Sequence, residues 1–232
     1  MTHNSEKSAF ASKICVTLAV IKTVKIMYDE LRTTVERAWD DRSLLQDDTT
    51  KAAIREVVEL IDKGLLRTAE PVDLACSQWR VNEWVKKAVI LYFPIQKMRI
   101  LRAGELEWYD KMDIKRDYDR LGVRAVPHAV ARYGAYIAPG AILMPSYVNI
   151  GAYVGEGTMV DTWATVGSCA QIGSHVHLSG GVGIGGGLEP GQAAPVIIED
   201  NCFIGSRSIV VEGAHVCREA VLGSNTVITG SR

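Results

Sequence analysis

Apolar and polar residues follow two different periods along this chain. From Met27 to about Phe93 the pattern is helical: Tyr28, Leu31, Val35, Ala38 and Trp39 recur at three- and four-residue spacing, with polar residues between them. A second helix is predicted from Thr49 or Thr50, with Ile54, Val57, Val58 and Ile61 on one face and Gly64 where a C-terminal cap belongs. A third opens after Asn82, carries Trp84, Ala88 and Leu91, and stops before Pro94. So few amphipathic helices cannot build a rich core alone, and they are expected to dock on something else. Residues 104–127 are charged and mixed, and read as a connector.

Beyond the connector the period becomes six. Val130, Tyr136, Ile142, Val148, Val154, Val160, Val166, Ile172, Leu178 and Ile184 are ten aliphatic or aromatic residues in unbroken steps of six. Small or β-branched residues lie four places after the first nine, from Gly134 and Gly140 to Val176 and Val182. Neither a strand's twofold alternation nor a 3.6-residue helix produces this register. It predicts a left-handed parallel β-helix, a triangular coil of three hexads per turn with large residues inside and small ones near the corners. Glycines after the aliphatic position (Gly155, Gly167, Gly173, Gly185) suit corners with unusual dihedrals. The register is expected to break once, after Ile184, where Gly185 to Pro195 are rich in glycine and proline, and to resume at Ile198, Ile204, Val210, Val216, Leu222 and Ile228. A loop that leaves a repeat scaffold usually carries function.

The expected organisation is therefore mainly β with a helical N-terminal part. It comprises an extension over 1–27 (disordered or helical, or preceding a natural start at Met27), an α-helical domain over 28–103, the connector, and a left-handed β-helix over 128–232 with an external loop at 185–197. A net charge of −1 gives no basic footprint for nucleic acid. Five cysteines (Cys15, Cys76, Cys169, Cys202, Cys217) with no Cys-x-x-Cys pair point to a reducing, cytoplasmic setting. The apolar run from Ile14 to Ile21 is too short to span a bilayer and lacks a cleavage site, so no membrane attachment is expected.

Several stretches are more specific than a generic repeat. They are Met144-Pro-Ser-Tyr-Val-Asn-Ile-Gly-Ala-Tyr-Val, Glu156 through Gly173, His177-Leu-Ser-Gly-Gly-Val-Gly-Ile-Gly-Gly, Leu188-Glu-Pro and Ile197-Ile-Glu-Asp-Asn-Cys-Phe-Ile-Gly, with Trp84-Val-Lys-Lys-Ala-Val and Tyr109-Asp-Lys upstream. Over roughly residues 30 to 230 the chain resembles the tetrahydrodipicolinate N-succinyltransferases of the lysine and diaminopimelate pathway.

The resemblance implies a homotrimer with acyl-CoA and a small amino-dicarboxylate bound between neighbouring coils, and direct transfer of the acyl group to an amine without an acyl-enzyme. Succinyl-CoA or acetyl-CoA is the implied co-substrate, and no bound cofactor or metal is implied. By motif, Asp161 matches the family carboxylate that contacts the amine, and Arg124 the arginine that binds a substrate carboxylate. The main chain of Gly180, Gly181, Gly185 and Gly186 would approach the pantetheine arm, with Arg207 near the acyl donor. Such a transfer needs a neutral, oriented amine and donors for the developing oxyanion.

Three features depart from the family pattern. Ile209 stands where relatives have a second glutamate, the chain stops at Arg232 where they continue, and residues 1–27 are additional. Two enzyme readings stay open: the housekeeping succinyltransferase, and a specialised-metabolism paralogue like the acyltransferase of tabtoxin biosynthesis. A trimer whose site has been lost is the structural alternative. A zinc lyase built on His128, His175, His177 and His215 is disfavoured, because His175 and His177 share one hexad.

Overall fold

The computed structural model describes residues 24–73, 75, 77–188 and 194–230. Most of the 1–27 extension and the tip of the 185–197 loop lie outside them. Helix α1 spans 24–40, followed by a single 3-10 turn at Arg42–Gln46. Helix α2, Asp48–Asp62, starts just ahead of the expected Thr49. Its cap is Asp47, whose carboxylate accepts the Thr50 N–H at 2.7 Å and the Thr50 hydroxyl at 2.9 Å. Gly64 ends the helix with φ +71°, and any Cβ there would lie 2.7 Å from the Tyr136 ring. Helix α3 is Glu83–Tyr92, after Asn82.

Two antiparallel hairpins interrupt what the periodicity read as helix and connector. Strands β1 (Ala69–Asp73) and β2 (Gln78–Val81) form one, and β3 (Arg99–Ala103) and β4 (Leu106–Asp110) the other. Gln78 to Val81 alternates polar and apolar, but over only four residues, while the other three strands mix Glu, Asp and Arg with apolar residues and show no one-sided alternation.

From Arg124 the described chain winds into seventeen short strands, stacked as three parallel sheets of five, six and six rungs in a left-handed solenoid of about six turns. Partners across a rung are seventeen or eighteen residues apart through most of the coil, as in Tyr153↔Gln171 and Met159↔His177. The first face carries Arg124, Ile142, Met159, His177, Phe203 and Val221 outward. The second carries Val130, Tyr147, Thr165, Gly183, Ile209 and Val227, and the third Tyr136, Tyr153, Gln171, Ile197 and His215. The second residue of each pair points in and builds the continuous aliphatic core.

Here the inferred register needs correction. The buried residues of the first coils are Ala131, Ile137 and Leu143, not Val130, Tyr136 and Ile142, and the next is Val148, only five places on. The step of six therefore breaks twice, the first time at a shortened corner, Met144-Pro145. Both residues of the early strands are apolar, so the pattern of hydrophobicity could not tell inside from outside.

The glycines also need a different explanation. Gly155, Gly167, Gly173 and Gly185 have no positive φ; a Cβ on Gly155 would lie 2.5 Å from the Gly173 carbonyl carbon, and one on Gly173 2.6 Å from the Asp200 nitrogen. They are needed because adjacent coils stack main chain on main chain. Positive φ falls instead at the other end of each corner, on Gly157, Trp163, Cys169, His175, Gly181, Asn201, Arg207 and Asn225 among others.

The helical part docks on the third face. Ile150 and Cys169 join the core of α2 and α3, Asp62 accepts the Gly134 N–H at 2.8 Å, and Thr68 donates to the Cys169 carbonyl at 3.0 Å. Gln171 donates to Thr68 and accepts from Arg67, which lies 3.6 Å over the Tyr153 ring. Total burial pushes the Cys169 thiol up to about 12. No helix among the described residues is long and apolar enough to cross a membrane.

Candidate active site

The edge between the first and second faces gathers most of the residues singled out from sequence. Each coil turns this edge through four positions: Asp161-Thr162-Trp163-Ala164 in one, Ser179-Gly180-Gly181-Val182 in the next, then Gly205-Ser206-Arg207-Ser208. Main-chain bonds tie the stack, from the Gly181 N–H to the Thr162 carbonyl at 2.9 Å and from the Arg207 N–H to the Gly180 carbonyl at 3.0 Å. Asp161, Gly180, Gly181 and Arg207 thus share one edge. Gly181 has φ +72°, and a Cβ on it would meet the Arg207 Cγ at 3.2 Å, so the arginine stem lies against a bare backbone.

Asp161 divides its two oxygens. Oδ1 accepts the Thr162 N–H at 2.6 Å and the Thr162 hydroxyl at 3.2 Å, which is the corner-capping role of an aspartate. Oδ2 faces the imidazole of His177, with Nε2 3.6 Å away. Both side chains are about one-third exposed, at 30% and 37%. His177 is the outward residue of the rung below Met159, and its ring stacks on Phe203 at 5.3 Å and 17°. The family motifs name Asp161 without His177 beside it. Adding one coil of eighteen to 161 gives 179, so His177 was within reach of that arithmetic.

Other expected residues stand apart from this cluster on a single chain. Gly185 and Gly186 lie at the next edge, past the strand Gly183–Ile184, where a Cβ on Gly186 would strike the Ser168 hydroxyl. Arg124 is exposed on the first rung of the first face, two rungs or about 10 Å from Met159. Ile209 faces out on the second face and leans over Gly183, whose Cβ would lie 2.8 Å from its Cδ1. Around the Asp161 edge sit large exposed apolar side chains: Trp163 at 72%, with Phe203, Ile209, Val221 and Val227 on the flanking faces.

This arrangement offers a carboxylate oxygen and an imidazole side by side, a guanidinium stem on a glycine platform, and apolar walls. It can orient an amine, accept its proton and admit an extended thioester against the main chain.

Residues 30–95 match the family described as Tetrahydrodipicolinate N-succinyltransferase N-terminal, and residues 195–230 that described as Hexapeptide repeat of succinyl-transferase. Among curated relatives, the 2,3,4,5-tetrahydropyridine-2,6-dicarboxylate N-succinyltransferase of Alkalilimnicola ehrlichii is 56% identical over 209 residues, covering 86% of this chain and 76% of the relative. That of Mesorhizobium japonicum is 53% identical over 209 residues, covering 85% and 73%. The Brucella ovis protein of the same name is 52% identical over 210 residues, covering 85% and 73%.

Proposed function

Because the chain belongs to the tetrahydrodipicolinate N-succinyltransferase family, we propose that it transfers the succinyl group of succinyl-CoA to the amino group that water frees when it opens the cyclic imine of tetrahydrodipicolinate. The observation that carries the reading is the Asp161–His177 pair, with one carboxylate oxygen presented beside an exposed glycine edge. The amine nitrogen attacks the thioester carbon, and the carbonyl electrons move to oxygen. Asp161, anchored through Oδ1 by Thr162, accepts the amine proton through Oδ2, and His177 stands 3.6 Å from that oxygen to take the proton on. Collapse of the tetrahedral intermediate expels the CoA thiolate, so no acyl-enzyme forms. Arg124 binds a substrate carboxylate through its guanidinium fork. Arg207 meets the acyl donor, and Gly180, Gly181, Gly185 and Gly186 admit the pantetheine arm.

The site is read as lying between subunits of a homotrimer. The third face is covered by the chain's own helices and hairpin, whereas exposed Trp163, Phe203 and Ile209 crowd the first and second faces. A neighbour seated there would bury them and would bring a second chain's Arg124 or Gly185 edge towards Asp161. Acyl-CoA chemistry and free thiols at Cys169, Cys202 and Cys217 fit a cytoplasmic place of action.

Ile209 favours a second reading, in which the amine site has diverged and acetyl-CoA is the donor to a related amino acid. Thiol-reagent detection of CoA release separates the two, with succinyl-CoA and acetyl-CoA run in parallel against tetrahydrodipicolinate, L-2-aminopimelate and lysine-like amines. Amine-dependent release is expected with succinyl-CoA, falling about 10²- to 10⁴-fold in Asp161→Asn. Preference for acetyl-CoA would select the second reading. No release with any pair from folded protein would leave a retired scaffold and end the catalytic one.

A further inference from the structure

On the far edge of the solenoid, between the third and first faces, lies a cluster that the transfer reaction does not use. Parallel pairing of Ile197–Ile198 with His215–Val216 sets Cys217 one rung beyond Glu199 at the same edge position, with His215 outward beside them. A carboxylate oxygen of Glu199, a ring nitrogen of His215 and the Cys217 sulfur all lie within 4.8 Å of one another. Three donor groups of three chemical types are thus held by two rungs of regular structure, with no loop between them.

The cluster also has supporting contacts. Glu199 is 2% exposed, and its carboxylate accepts from Trp79 Nε1 at 2.8 Å, the Ser77 hydroxyl at 2.9 Å and the Arg218 N–H at 2.9 Å. His215 Nε2 lies 3.0 Å from Glu199 Oε1, and the Trp79 ring stands edge-on to the imidazole at 6.2 Å. Such partners fix a ligand's orientation before an ion arrives. Cys217 is exposed and free, so an ion has a way in.

We propose that Glu199, His215 and Cys217 form a binding site for a zinc-like divalent cation, with solvent in the fourth position. Thiolate and imidazole select a borderline-soft ion over magnesium or calcium, and three protein ligands with one open place are compatible with tetrahedral zinc. On binding, the Cys217 thiol gives its proton to solvent, and the ion takes the place of the His215–Glu199 hydrogen bond. Zinc bonds of about 2.0–2.3 Å put ligand atoms roughly 3.3–3.8 Å apart, so the exposed cysteine swings inward while Glu199 stays fixed. Because Glu199 also holds Ser77 and Trp79, the ion would clasp the β1–β2 hairpin to the solenoid.

The test is titration of chelator-treated full chain with Co²⁺ and Zn²⁺, followed by the cobalt–thiolate charge-transfer absorption and by thermal unfolding. One equivalent of Co²⁺ should give that band, Zn²⁺ should displace it, and Zn²⁺ should raise the melting temperature. Cys217→Ser, a surface change, should keep the fold, lose the band and bind about a hundredfold or more weakly. His215→Gln should weaken binding in parallel. An unchanged band and affinity in Cys217→Ser would place any bound ion on another thiol and overturn the site, as would failure of the native chain to bind either ion. Neither outcome bears on acyl transfer, which uses a different edge.

Discussion

Single residues here are constrained by what stacks on them from the adjacent coils. Gly173 sits under Gly155 and over Asp200, and an added Cβ would lie 2.4 Å from Asp200 Oδ1 and 2.6 Å from its backbone nitrogen. Because the obstruction is partly backbone, Gly173→Ala should cost about 2–4 kcal/mol, measured by urea denaturation with a normal far-UV spectrum. Gly104, whose Cβ would meet nothing within 4 Å, is less informative as a control because its own φ is +60°. At this scale the sequence was partly legible. The family motifs name Asp161, Gly180, Gly181 and Arg207 one by one, and the coil stacking puts them on one edge because they fall in the same four-residue corner of successive coils. Period six alone does not say which edge holds Gly185 and Gly186, which belong to a run of glycines that crosses a whole strand from one edge to the next. It missed His177 because a stacked neighbour is visible only when coil length as well as hexad length is counted.

Elements owe their boundaries to a few polar side chains. Helix α2 begins at Asp48 because Asp47 caps it with two bonds to Thr50, and Thr50 itself is buried against the domain. Asp47→Ala should lower the melting temperature by a few degrees, whereas Asp48→Ala, at a highly exposed side chain, should do far less. Helices were legible because each buries one stripe. The hairpins were not, since β4 is almost wholly exposed and β1 carries Pro71 between acidic residues. The shortened corner at Met144-Pro145 was hidden for a related reason: where both strand residues are apolar, the tertiary pleat alone decides which enters the core.

Over the whole molecule, the decisive contact between the two parts is Glu199. Burial opposes its ionisation, but donors from Trp79, Arg218, Ser77 and His215 outweigh that and bring the carboxyl down to about 2, from an ordinary 4.5. Its folded value is depressed, so the stabilisation is complete above the unfolded value and is lost as pH falls from about 4.5 towards 2. Metal-free protein should therefore lose on the order of 2–3 kcal/mol over that window, read from urea midpoints at stepped pH. Glu199→Gln should be less stable at neutral pH and should flatten the same stretch of the curve. No sequence pattern announced this contact, because Ser77 and Glu199 lie 122 positions apart and meet only when the hairpin folds over the coil.

That overlay runs along the third face from Gly134, held by Asp62, to Glu199, held by Trp79. A stack of coils is ordinarily a zipper, each rung secured only by its neighbours. A second layer in contact with four successive rungs acts on it as a splint acts on a limb. Amide hydrogens of the rungs beneath it, such as Tyr153, Gln171 and Ile197, should exchange with solvent together and only on global opening. Those beyond it, at Val221, Leu222, Val227 and Ile228, should exchange faster, in graded order along the axis.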